Sequence, residues 1–155
     1  MKKIQCLITI SLILTLPKLV SAQNTSLRLQ QFNLENGMGI NGYDPTSYFT
    51  GKPEKGKKEF AVKYEGVVYW FTSKANAETF KANPAKFEPA YGGWCAYAMG
   101  AKGEKVEIDP ETFKVIDGKT YLFYNKLFNN TLPDWNKDQA NLKKKADASW
   151  SVLFK

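Results

Sequence analysis

The residue in this chain best equipped for chemistry is Cys95, set in Tyr91-Gly92-Gly93-Trp94-Cys95-Ala96-Tyr97-Ala98-Met99-Gly100. A thiol that follows a glycine turn and opens a short helical segment would meet the free N–H groups and dipole of a helix N-terminus, which favour the thiolate. Gly92 and Gly93 would let a substrate backbone or a small oxidant come close. Tyr91, Trp94 and Tyr97 would shape the surroundings. The same neighbours also suit a packing cysteine, because free cysteine is among the most buried residue types. Both readings stay open on these residues. The sequence has two cysteines, Cys6 and Cys95. If Cys6 is removed, thiol chemistry at Cys95 would run through sulfenic acid, a mixed disulfide or a dimer bridge, since no resolving cysteine remains.

A soft-metal reading is also available. Met99 lies four residues after Cys95, on the same face of a helix, and a thiolate with a thioether suits Cu(I). Cys95 and Met99, with Met38 as a third ligand, are therefore a candidate copper site. The chain has no histidine, which removes Ser-His-Asp and Cys-His catalysis and a zinc site of Cys/His type. Glu104, Glu107, Asp109 and Glu111 lack calcium-loop spacing and read as a solvated loop. Gly37-Met38-Gly39-Ile40-Asn41-Gly42 lacks the spacing and the helix of a phosphate loop. Tyr43, Asp44, Tyr48, Tyr91, Gly92, Gly93, Trp94 and Tyr97 are the residues that would line a ligand pocket, with most of the other aromatics going to the core.

The first residues bear on the compartment. Met1-Lys2-Lys3 is basic, Ile4 to Leu16 is apolar, and Val20-Ser21-Ala22 has the small residues that a signal peptidase reads. The expectation is a signal peptide over 1–22, cleaved before Gln23, and a periplasmic or secreted product with no transmembrane segment. Losing Lys2, Lys3 and Lys18 takes the formal charge from +7 to +4. The sequence has no basic stripe with interleaved aromatics, so nucleic acid is not the expected partner.

The elements that must position these residues follow from the patterning. Phe60–Tyr64 and Val67–Phe71 read as strands joined at Glu65-Gly66. Phe113–Ile116 and Thr120–Tyr124 read as strands joined at Asp117-Gly118. Ser73 caps a helix that runs to about Ala82 and ends at Asn83-Pro84. Pro84 to Phe87 reads as a turn, and the Cys95 helix stops at Gly100. A C-terminal helix starts at Pro133-Asp134, with Trp135, Gln139, Leu142, Ala146, Trp150 and Leu153 on one stripe. Residues 23–37 read as an N-terminal extension and 38–155 as one small α+β domain, with two antiparallel hairpins packed on short helices and the longer C-terminal helix.

Four separated stretches resemble the exported YHS-domain proteins: Gly42-Tyr43-Asp44-Pro45-Thr46-Ser47-Tyr48-Phe49-Thr50; Tyr69-Trp70-Phe71-Thr72-Ser73 with Phe80, Asn83-Pro84 and Phe87; Tyr91 to Ala98; and Val115-Ile116-Asp117-Gly118-Lys119 with Tyr121, Tyr124-Asn125-Lys126 and Ala146 to Trp150. The resemblance covers roughly 38–153 and implies a small α+β domain. Metal-associated members carry cysteines at places that correspond here to Thr72 and Asn76, and the members that give the family its name often carry histidine where this chain has Phe49; both departures count against a conventional metal site. Some exported members carry selenocysteine at the place of Cys95, which implies a working thiol. The expected function is a stand-alone exported domain whose single thiol is redox-active or binds a soft metal, with an exported redox or metal-handling partner. The alternative is a non-catalytic ligand- or protein-binding module in which Cys95 is structural. An enzyme is not the expectation; if there is catalysis, it is thiol-dependent redox chemistry.

Overall fold

A computed structural model describes residues 16–153, with side chains from Asn24 onward. Most of the expected signal segment lies outside the described residues. In chain order the elements are α1 (Leu16–Gln31), β1 (Leu34–Glu35), β2 (Met38–Gly39), β3 (Lys57–Tyr64), β4 (Val67–Phe71), α2 (Lys74–Ala82), α3 (Pro84–Phe87), α4 (Ala96–Lys102), β5 (Asp109–Ile116), β6 (Lys119–Phe123), β7 (Asn125–Lys126), β8 (Asn129–Asn130), α5 (Leu132–Lys137) and α6 (Gln139–Val152). The fold class is α+β, as the patterning predicts.

Both expected hairpins form. Glu65-Gly66 and Asp117-Gly118 take positive φ at both turn positions, which matches the right-handed twist of the flanking strands. Along β4, Val67, Tyr69 and Phe71 are buried while Val68 and Trp70 are half-buried, the period-two signature of a strand with one face on the core. A third such turn, Asn36-Gly37, joins β1 to β2, and β2 lies parallel to β4. The result is a four-stranded sheet in the order β1-β2-β4-β3, beside separate two-stranded β5-β6 and β7-β8 ribbons. The glycine-rich stretch is thus a strand and a tight 3-10 turn.

Ser73 caps α2 by accepting from the Asn76 N–H at 3.2 Å. Two helix boundaries differ from expectation. α4 runs past Gly100 and ends at Gly103, whose left-handed φ of 71° closes it. Gly100 lies inside the helix because the backbone of Leu142 crosses directly over it, leaving no room for a Cβ. The C-terminal helix is broken at Asp138 (φ −147°, ψ 44°) into α5 and α6, and α5 is capped at Thr131, ahead of Pro133. Trp135, Leu142 and Ala146 are buried as the stripe predicts.

Residues 23–31 of the segment read as an N-terminal extension belong to the helix α1, which packs on the domain. Arg28 is buried and pairs with Glu88 and with Glu65, and its guanidinium lies over the rings of Phe32 and Tyr64. Burial is the strongest single influence and works against the Arg28 charge, but the hydrogen bond to Glu88 together with the charges of Glu88, Tyr69 and Glu65 outweighs it, and the net shift is upward. Among the described residues no helix is long and apolar enough to cross a membrane.

The apolar side chains form two clusters. One gathers Tyr69, Phe71 and Phe80 with Cys95 and Leu122; the other gathers Met99, Phe123, Trp135 and Ala146. Phe80 lies 5.1 Å from the ring centroids of both Tyr69 and Phe71. Burying such a side chain contributes about 1.5–3 kcal/mol.

Candidate functional site

Cys95 is held from several sides by local and long-range bonds. The turn before it has positive φ at Tyr91, Gly92 and Gly93 (54°, 60° and 88°). Asn33 clasps this turn, donating from its backbone N–H to the Gly92 carbonyl at 3.0 Å and from its amide to the Gly93 carbonyl at 3.1 Å. The Trp94 indole donates to the Gln31 carbonyl at 2.6 Å. Cys95 itself donates its N–H to Val106 O at 2.9 Å and forms a parallel bridge with Leu122 of β6.

That bridge brings Tyr124 and Thr131 to the sulfur. The Tyr124 N–H donates to Sγ at 3.4 Å, and Sγ lies 3.4 Å from Thr131 Oγ1. The Thr131 hydroxyl donates to the Tyr124 carbonyl at 3.2 Å. A hydroxyl has one proton to give. With that proton on the carbonyl, Thr131 accepts from the thiol S–H while the thiol accepts from Tyr124. The result is a closed ring of donors and acceptors around the sulfur.

Two expectations about this cysteine are corrected. Cys95 is the N-cap residue of α4, but its side chain makes no capping hydrogen bond, so first-turn N–H groups are not what the sulfur meets. Gly92 does not open a path for a substrate. A Cβ there would stand 2.7 Å from the Phe32 ring and 2.8 Å from that of Trp150, so the glycine makes room for two aromatic side chains of the protein itself.

Cys95 has no accessible surface (0%), yet it forms part of the wall of a cavity of about 360 Å³. Tyr97, Ala98, Ala101, Val106, Tyr124, Asn129 and Thr131 complete that wall with the charged Lys102 and Glu104. The lining is largely apolar with few polar groups, the usual make-up of a small-molecule site.

Met99 is fully buried in the Trp135 cluster, whereas Cys95 packs with Phe71 and Leu122. The sulfur of Met38 lies against Gly42. Among the described residues no three Cys, Asp or Glu side chains are grouped to hold a metal ion.

The remaining expected binding residues separate into different places. Tyr43 is half-buried and donates to Glu111 at 2.9 Å. Tyr48 is buried and donates to the Pro110 carbonyl at 2.9 Å, and burial pushes its pKa far up. Asp44 is fully buried. Its Oδ1 accepts from the Thr46 N–H and hydroxyl, and its Oδ2 from the Thr72 N–H, the Thr72 hydroxyl and the Asn76 amide, all within 2.9 Å. Thr72 and Asn76 are the two places where the sequence resemblance would put cysteines if the chain held a conventional metal site. Here they converge on a carboxylate in a structural network. Tyr91 donates to Asp147 at 2.9 Å and, with Gly92, lines a second concavity, one that does not include Cys95.

Of the expected set, only Cys95 and Tyr97 share the first cavity. Val106, Tyr124 and Thr131 were not anticipated there. Their only sequence signal is indirect: once Cys95 is registered against Leu122, Tyr124 must follow two residues along the same chain direction. Compared with known proteins, the chain matches no family model, no curated protein and no solved structure at a significant level.

Proposed function

We propose that this chain is an exported, YHS-like binding module that takes a small, largely apolar ligand in the cavity beside Cys95, with the cysteine serving as a structural part of the wall. The observation that carries this reading is the burial of Cys95 against a roomy, mostly apolar cavity. The thiol is saturated with partners, and the lining offers Tyr97 and Tyr124 as aromatic surface with Thr131 as a polar anchor. The neutral dye N-phenyl-1-naphthylamine tests it. Its fluorescence is expected to rise on binding to the wild-type protein and to Cys95→Ser, and to fail to rise with Ala101→Trp, which fills the cavity from an exposed position. Equal binding by wild type and Ala101→Trp overturns the reading.

A second reading rests on the place of Cys95 in the cavity wall, where Asn129 of β8 lies beside it. If the β7–β8 segment opens, the Cys95 thiolate could attack a peroxide oxygen, forming sulfenic acid and releasing hydroxide as the O–O bond breaks. Trapping with dimedone after peroxide treatment of the folded protein checks this. Adduct formation at a rate independent of denaturant would favour the redox thiol over the structural one.

A further inference from the structure

A second concavity, also about 360 Å³, lies between the N-terminal segment, β6 and α6. Its wall combines the rings of Phe32, Tyr91, Tyr121 and Trp150 with charged side chains. The rings are tilted against one another, with Tyr91 and Tyr121 centroids 5.8 Å apart and Phe32 and Trp150 also 5.8 Å apart. Such surfaces accept a flat ring through edge-to-face contacts.

The charged groups lining it are Glu88, Asp147 and Lys119, and they are not equivalent. Glu88 Oε1 accepts from Arg28 and from the Tyr69 hydroxyl. Asp147 accepts from Tyr91 through Oδ1 and pairs with Lys143 through Oδ2 at 2.8 Å. Both carboxylates are therefore engaged by groups of the protein. Lys119 is half-buried, and its ammonium donates to a neutral acceptor, the Ala85 carbonyl at 2.7 Å. Lys119 belongs to none of the ion pairs among the described residues. An ammonium has three donors, and one is used here. Burial works against the charged form of this lysine, and Arg28 adds to that; Glu88 opposes it only in part.

We propose that this concavity binds a small carboxylate carried on a flat aromatic body. The carboxylate is taken by Lys119, and the ring lies among Phe32, Tyr91, Tyr121 and Trp150. A cationic ligand would have to displace Arg28 or Lys143 from its carboxylate, whereas an anion supplies the partner that Lys119 lacks. This site is separate from the cavity beside Cys95 and does not depend on it.

The test compares 2-naphthoate with its neutral isostere 2-naphthamide on the folded protein. Binding is followed by the Trp150 indole N–H and Gly92 amide NMR signals, with the Val106 amide reporting the other cavity. The expected result is movement of the Trp150 and Gly92 signals and at least tenfold tighter binding of the carboxylate at low salt. That preference is expected to vanish in Lys119→Gln and to persist in Lys119→Arg. Thermal melts of both variants establish that they fold, and loss of the preference at high salt in the wild-type protein gives a readout free of mutation. Equal affinity for the two probes, a preference retained in Lys119→Gln, or movement confined to Val106 overturns the proposal.

Discussion

The sulfur of Cys95 and the hydroxyl of Thr131 lie 3.4 Å apart across 36 residues of chain, and the Tyr124 peptide closes the ring between them. A thiol held in this way reacts only when the protein opens. Alkylation by iodoacetamide is therefore expected to track global or local unfolding, rising steeply with urea. Thr131→Val removes the hydroxyl while keeping the shape. It is expected to cost about 1–3 kcal/mol, the range for leaving buried polar groups without a partner. It should also speed alkylation measurably. Fast alkylation of the wild-type protein in native buffer would count against this picture.

Asp44 should be among the most sensitive positions in the fold. Asp44→Ala strands the Thr46 and Thr72 N–H groups and the Asn76 amide in a buried place, with an expected loss of roughly 3 kcal/mol or more. Asp44→Asn keeps the size but turns a donor toward donors, and should also destabilise, by a smaller amount. Urea denaturation midpoints decide the order. A wild-type midpoint in Asp44→Ala would show that the network contributes little.

Three buried tyrosines set the alkaline limit. Burial raises the pKa of Tyr48, Tyr69 and Tyr91 above the usual tyrosine range, and hydrogen bonds to Glu88 and Asp147 add to it at Tyr69 and Tyr91. A folded-state pKa above the unfolded value of about 10 means stability is fully present below that pH and falls as pH rises beyond it. The expected slope is about 1.4 kcal/mol per pH unit for each tyrosine that ionises only on unfolding. Absorbance at 295 nm followed alongside circular dichroism checks it: the tyrosinate signal of these residues should appear with loss of structure, not before.

The β7–β8 hairpin carries Leu127 and Phe128 at its turn, both with positive φ (50° and 69°) and both highly exposed (89% and 110%). Bulky residues in the left-handed region cost about 1–2 kcal/mol each relative to the right-handed region. Replacing the pair by Asn-Gly, the preferred residues for this turn, is expected to raise stability by about 1 kcal/mol and the melting temperature by several degrees. An unchanged or lower melting temperature would mean that the two side chains make compensating contacts in solution.

Gly92→Ala joins a left-handed backbone to a crowded site between Phe32 and Trp150. The expected cost is about 2–4 kcal/mol, from overpacking and from loss of the glycine conformation. Because both rings anchor the N-terminal segment and α6, limited proteolysis of this variant should cut first near residues 24–36.

Some of this protein was legible without coordinates because the determining interactions are local. Glu65-Gly66 and Asp117-Gly118 specify hairpins through their own φ preferences, Ser73 caps the helix that follows it, and the stripe from Trp135 to Ala146 declares its buried face by spacing alone. Cys95 could be singled out by type. What surrounds it could not, since burial, the ring with Tyr124 and Thr131, and the cavity all depend on registering residue 95 against 122. The same holds for Asp44 with Thr72 and Asn76, and for Met99, which shares a helix with Cys95 yet packs in the other cluster. The sequence marks the N-terminal segment only as an extension because its polar residues give little amphipathic signal; it is held by Arg28 reaching Glu88, 60 residues away. Short-range preference determined the elements, and only long-range packing decided which side chains meet, because contact between distant residues is a property of the assembled fold rather than of any stretch of chain.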